Sequence, residues 1–141
     1  MIISNSSPLM YLAKINKLNL LKILFSEVII PKQVYEEVVI KGRENKFLDA
    51  FKIEKAIEDK WIKIREFKIE KEMEKFISEI DIGEISVINL ARKLKFNLIL
   101  MDDASARTIA ESFGFNVKGT IYILLKAYKN KLLEKEEVKK L

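Results

Sequence analysis

Short apolar runs alternate along this chain with longer stretches in which apolar residues recur every three or four positions. That alternation predicts strands separated by amphipathic helices. Met1-Ile2-Ile3 is the first run, and it stops at Ser4-Asn5-Ser6-Ser7-Pro8, where the serines offer helix caps and the proline suits a first helical position. A helix carrying Leu9, Tyr11, Leu12 and Ala13 should follow, then a second through Leu20, Leu21, Leu24 and Phe25. Val28-Ile29-Ile30 predicts another strand, and Pro31 opens a helix with Val34, Val38 and Val39 on its packed face.

From Arg43 to Glu79 the chain is charged but still periodic. Phe47, Phe51 and Ile57 predict one helix, and Ile69, Met73, Phe76, Ile77 and Ile80 another, with Trp61-Ile62-Lys63-Ile64 between them alternating as an edge strand does. Asp81-Ile82-Gly83 marks a turn before a helix filled by Ile85, Ile88, Ala91 and the stem of Arg92, broadened by Val87, Leu90 and Leu94. Phe96 to Met101 predicts a central strand, followed by a helix with Ala106, Ile109, Ala110 and Phe113 that Gly114 ends. Phe115-Asn116-Val117 is the last strand, Thr120 caps a helix from Ile121 through Leu133, and the charged residues Glu134 to Leu141 should fray.

This order of elements predicts an α/β fold, a three-layer α/β/α sandwich with a mostly parallel central sheet. One domain is expected over residues 1–133, with 134–141 as a charged C-terminal tail. In such a sheet the active crevice lies at the carboxyl ends of the strands.

Composition narrows the chemistry. The 141 residues are 49% hydrophobic, enough to fill one continuous core. Cysteine and histidine are both absent, which excludes cysteine nucleophiles, histidine acid-base catalysis, thiolate zinc sites and disulfide staples. Any metal must therefore be held by oxygen, which favours Mg²⁺ or Mn²⁺. A net charge of +5 suits an anionic partner, although lysine-rich surfaces also serve solubility alone. The longest apolar stretches, such as Ile121 to Leu125, are far too short to cross a bilayer. The opening Met1-Ile2-Ile3-Ser4 lacks a basic leader, so a mature start near Met1, a cytoplasmic location and no membrane partner are expected.

The candidate chemistry lies at the ends of the apolar segments. Asn5 follows the first strand, Glu36 and Glu37 come soon after the second, Glu84 opens its helix, and Asp102 and Asp103 follow the predicted central strand. Carboxylates gathered in one crevice repel one another unless a cation neutralises them. Each also has an ordinary reading: Glu36, Glu37 and Glu84 favour helix N-termini, and Asp102 caps a helix. Ser6 and Ser7 read as caps, since no base stands near to activate them.

Four stretches, in this order, carry a resemblance over Met1 to about Lys131. They are Ile2-Ile3-Ser4-Asn5-Ser6-Ser7-Pro8-Leu9, Ile30-Pro31-Lys32-Gln33-Val34-Tyr35-Glu36-Glu37-Val38, Gly83-Glu84, and Leu100-Met101-Asp102-Asp103-Ala104-Ser105-Ala106-Arg107. Together they resemble the PIN-domain ribonucleases, in the compact prokaryotic branch related to VapC-type toxins. The resemblance implies a Mg²⁺- or Mn²⁺-dependent cut in RNA, with Asn5, Glu37, Glu84 and Asp103 or its neighbour Asp102 around the metal. In the same way it implies catalytic roles for Glu37, Glu84, Asp102 and Asp103, with Ser7 steadying the first turn and Glu36 in a lesser part. It also implies a possible antitoxin partner and a homodimer or higher homo-oligomer. The family's usual first acid is aspartate, so Asn5 departs from the pattern; a neutral amide oxygen there weakens metal binding and leaves a catalytically weakened nucleic-acid-binding protein as the alternative. Phosphoacceptor and phosphatase folds share the outline, but their order of motifs matches less well.

Overall fold

The apolar runs pair side by side in the computed structural model, which describes residues 1–140. Among the described residues five strands form one sheet: β1 (Ile2–Ser4), β2 (Val28–Pro31), β3 (Ile62–Arg65), β4 (Leu98–Leu100) and β5 (Asn116–Lys118). Their order is β3-β2-β1-β4-β5, and each neighbouring pair is parallel. Ile2, Ile3, Val28 and Ile30 are fully enclosed, because helices cover both faces and a doubly covered strand must be apolar throughout. Edge strand β3 instead alternates buried and more exposed positions.

The helices are α1 (Ser6–Lys14), α2 (Asn19–Phe25), α3 (Lys32–Tyr35), α4 (Lys41–Glu44), α5 (Leu48–Glu58), α6 (Ile82–Leu94), α7 (Ala104–Ser112), α8 (Thr120–Lys129) and α9 (Lys135–Lys140). Helix α6 lies against β1, β2 and β4 and meets α3 and α7, while α1 meets α5 and α8. The result is the expected three-layer α/β arrangement. Every residue of α6 from Gly83 to Ala91 is buried, which is the deep packing its wide apolar face predicts.

Several local expectations are corrected by packing. Asn5, not a serine, takes the N-cap position of α1, and Pro8 sits third in that helix; a missing N–H costs nothing anywhere in the first turn. Pro31 ends β2 with extended backbone, and the helix begins at Lys32. Gly119 precedes α8, so Thr120 is its first helical residue. In α5 the buried residues are Ala50, Ile53 and Ala56, whereas Phe47 and Phe51 face outward. The reason is a close approach: a Cβ on Gly42 would come within 2.8 Å of the Ala50 Cβ, so only small residues fit that contact.

The Ile69 to Ile80 stretch forms a 3₁₀ turn over Lys71–Phe76, not a regular α-helix. Buried Asn89 of α6 fixes where it starts, accepting from the Glu70 N–H at 3.0 Å and donating to the Lys68 carbonyl at 3.1 Å. Those backbone groups are thereby lost to an upstream helical turn. Met73 and Ile80 turn inward, and of the large apolar residues in the stretch Ile77 alone is strongly exposed, so this segment offers little apolar surface to a partner. Strand β4 is interior, but the middle of the sheet is β1. Where a frayed tail was expected, α9 occupies Lys135–Lys140 and Glu137 pairs with Lys17 at 2.9 Å; Leu141 lies outside the described residues.

These positions separate core from surface. Ile88→Ala, at 0% exposure, should cost about 2–5 kcal/mol in urea unfolding, whereas Ile77→Ala, at 61% exposure, should stay within about 0.5 kcal/mol. Equal costs would contradict the packing described.

Candidate active site

Strand order reverses between β1 and β4: the chain builds outward through β2 and β3, then returns to the other side of β1. In a parallel sheet this switch point opens a crevice beyond the carboxyl ends of the strands. The two strands that flank it end in candidate residues. Ser4 pairs with Leu100, and the Asn5 N–H donates to the Leu100 carbonyl at 2.9 Å. Asp102 and Asp103 leave β4 on the same edge.

The sequence folds locally so that three oxygens meet over Gly83. A Cβ on Gly83 would lie 3.2 Å from Glu37 Oε2, 3.3 Å from Asp81 Oδ1 and 3.7 Å from Asn5 Oδ1. Asn5 is 5% exposed and makes no capping bond with its side chain, which leaves its amide to face this point. Ser4 Oγ donates to the Asn5 carbonyl at 2.9 Å and holds the turn. Ser7, expected to steady it, is exposed at the rim of a neighbouring groove.

Glu37 reaches the cluster from a π-helical turn, Glu36–Ile40, set between α3 and α4. Val34 and Val39 are both fully buried, a spacing of five that matches the i→i+5 bonding of such a turn. Of the two neighbouring glutamates, Glu36 instead extends toward Lys32, 3.9 Å away.

Asp81 and Glu84 form a reciprocal capping box at the start of α6: the Glu84 N–H donates to Asp81 Oδ1 at 2.8 Å, and the Asp81 N–H donates to Glu84 Oε1 at 3.0 Å. Asp81 was read from the sequence only as a turn marker. The Asp-x-x-Glu spacing could have revealed its cap, but its place beside Glu37 and Asn5 has no local signal. Glu84 is 6% exposed, and burial pushes its carboxyl up to about 7, helped by the charges of Asp81 and Asp103 and opposed by the Asp81 N–H.

The adjacent aspartates diverge. Asp103 caps α7, its Oδ2 accepting from the Ala106 N–H at 2.9 Å, and its charge acts on Glu84. Asp102 accepts from both the N–H and the hydroxyl of Thr120, at 2.7 and 2.6 Å. That latch ties the end of β4 to α8. A Cβ on Gly119 would lie only 2.8 Å from Asp102 Oδ1, so a glycine is needed beside it.

Asn5, Glu37, Asp81, Glu84 and Asp103 thus share one mouth, with Asp102 turned to its flank and Glu36 away. All donors are hard oxygens, the type that Mg²⁺ and Mn²⁺ prefer. Caps occupy one oxygen each of Asp81, Glu84 and Asp103, and for Asp81 it is Oδ1, the oxygen that faces Gly83. The spacing is open, however: among the described residues no three carboxylates lie close enough to hold a metal ion together. The donors fit a divalent cation in kind, without forming a closed shell.

The sheet is parallel, is covered on both faces and gathers acids at its switch point. A family model described as PIN domain matches residues 1–141, so the chain belongs to the PIN-domain family. Members of that family act on RNA or other nucleic acid and generally use divalent metal ions. No curated protein matches the chain. Among the described residues no helix is long and apolar enough to cross a membrane.

Two outcomes follow from the geometry. Because the folded protein holds the Glu84 proton more tightly than the unfolded chain, it binds more protons between the two pKa values, and stability falls as pH rises from about 5 through about 7. Melting in a chelating buffer should show this decline for the native protein, and Glu84→Gln should flatten it. Gly83→Ala should change the melting temperature little, since a helical gain of up to about 1 kcal/mol is set against a Cβ 3.2 Å from Glu37 Oε2 and 3.3 Å from the capping Asp81 Oδ1. The same change should weaken Mn²⁺ binding in calorimetry by crowding Glu37 and Asp81; unchanged binding would argue against a site at this point.

Proposed function

We propose that this chain is a Mg²⁺- or Mn²⁺-dependent ribonuclease whose cation is held by Asn5, Glu37, Glu84 and Asp103. The observation that carries this reading is the convergence of Glu37, Asp81 and Asn5 oxygens over Gly83, at the switch point, beside buried Glu84. When bound, a divalent ion supplies the charge that activates water and stabilises a phosphodiester under attack. Asp102 takes a different part from its neighbour: its bonds to Thr120 fix the end of β4 and thereby aim Asp103. Asp81 acts as a positioning residue, orienting Glu84 through the capping box.

Glu84 holds a proton near neutral pH. With Oε1 accepting from the Asp81 N–H, that proton sits on Oε2, and cation binding must displace it. Lysines spread over the chain neutralise phosphates on the approaching strand. The reading extends to a toxin of a toxin-antitoxin pair, with an antitoxin and a second copy of the chain as partners.

A second reading has its own support. The amide of Asn5 brings one neutral oxygen where a carboxylate would bring charge, and the remaining acids are spaced openly. A protein so built binds nucleic acid without cutting it.

Titration of single-stranded RNA cleavage with Mn²⁺ separates the two. Native protein should cut slowly, Asn5→Asp should cut at least about 10-fold faster at limiting metal, and Glu37→Gln should lose roughly 10–100-fold or more. If native and Asn5→Asp both leave RNA intact while binding it in a salt-dependent way, the second reading holds.

A further inference from the structure

Two hollows beside the acidic cluster share their walls. The larger, about 990 Å³, runs between α1 and α8 past Tyr11, Lys14 and Leu124 to Asp102 and Thr120. The smaller, about 160 Å³, takes in Glu37, Lys41 and Gly42. Met10, Phe47 and Asp49 border both, so one groove leads from the Glu37 side of the site to the Asp102 side. Phe47 stands where the two meet, 53% exposed and outside the hydrophobic core.

We propose that this groove binds unpaired bases of a single-stranded nucleic acid, with the Phe47 ring as the platform on which a base stacks. Lys14 and Lys41, one along each arm, meet the phosphates that flank the stacked base. The inference rests on the nuclease reading for its substrate class and names where on the protein that substrate lies.

Three observations favour this occupant over a protein segment. The walls are largely apolar, yet a lysine lines each arm, which complements a chain carrying one charge per nucleotide. Glu37, one of the residues proposed to hold the cation, lines the smaller arm, so a strand lying in the groove reaches the site that would cut it. Of the acids along it, the charge of Asp49 is offset by Lys52 Nζ, 3.9 Å away, and both oxygens of Asp102 are taken up by hydrogen bonds from Thr120. A duplex hides its base faces, so only unpaired bases reach a ring.

The test reads binding by fluorescence anisotropy in a chelating buffer, with a labelled oligouridylate and an abasic strand of the same length. Native protein should prefer the strand with bases. Phe47→Leu keeps an apolar side chain but removes the ring, and it should weaken oligouridylate binding about 5-fold or more, the low end for one stacked base, leaving the abasic strand unaffected. Phe47→Trp should restore the preference, which a merely structural role for Phe47 would not require. The proposal is overturned if native protein does not distinguish the two strands, or if Phe47→Leu binds oligouridylate as tightly as native. It also falls if sedimentation shows a native dimer that Phe47→Glu converts to a monomer, for the groove then belongs to a second copy. Base-dependent binding by a protein that never cleaves with Mn²⁺ would remove the nuclease reading and keep this one. Cleavage with no such binding would do the reverse.

Discussion

Like charges at one end of a parallel sheet must be held against their own repulsion, and the site described above depends on how this is done. Two carboxylates about 6 Å apart at an effective dielectric of about 20 repel by roughly 3 kcal/mol. A single helix cap contributes about 1 kcal/mol. Caps therefore offset only part of that repulsion, and Glu84, disfavoured as an anion first by burial and then by the neighbouring charges, holds its proton up to about pH 7. A cation held among these oxygens would offset that repulsion.

The scaffold supplies what the caps cannot. β1 lies in the middle of the sheet with Ile2 and Ile3 sealed on both faces, and its backbone bond to Leu100 sets Asn5 beside the end of β4. Buried α6 carries Glu84 on the same framework, and the π-helical turn brings in Glu37 while Val38 and Val39 stay in the core. Gly83 leaves the space in which these oxygens meet. Each donor thus stands on an element whose position is fixed by apolar packing. That is how a small domain can hold a group that would otherwise fly apart.

Much of this architecture was legible locally. The alternation of apolar runs predicted the strands and their helices, and the broad apolar face of α6 predicted its depth. Errors fell where a neighbour's packing overrode the pattern. Phe47 and Phe51 have helical spacing, but Gly42 approaches Ala50 so closely that the small face of α5 turns inward. Ile69 to Ile80 is periodic, yet Asn89 holds the Lys68 and Glu70 backbone and keeps the helical segment from beginning before Lys71. Thr120 looked like a cap and serves instead as the partner of Asp102.

The candidate residues divide in the same way. Sequence alone determined the donor chemistry, because a chain with no cysteine or histidine has only oxygen to offer a hard cation. It also placed acids at the ends of apolar segments, where a parallel sheet gathers them. The family resemblance already favoured Glu37 over Glu36; tertiary structure alone set Asp102 against Thr120 and Asp103 beside Glu84, and brought Asp81 in next to Glu37 and Asn5. Local sequence records which groups are present and in what helical or strand phase. The direction of a side chain in a shared crevice depends on contacts between segments that lie dozens of residues apart.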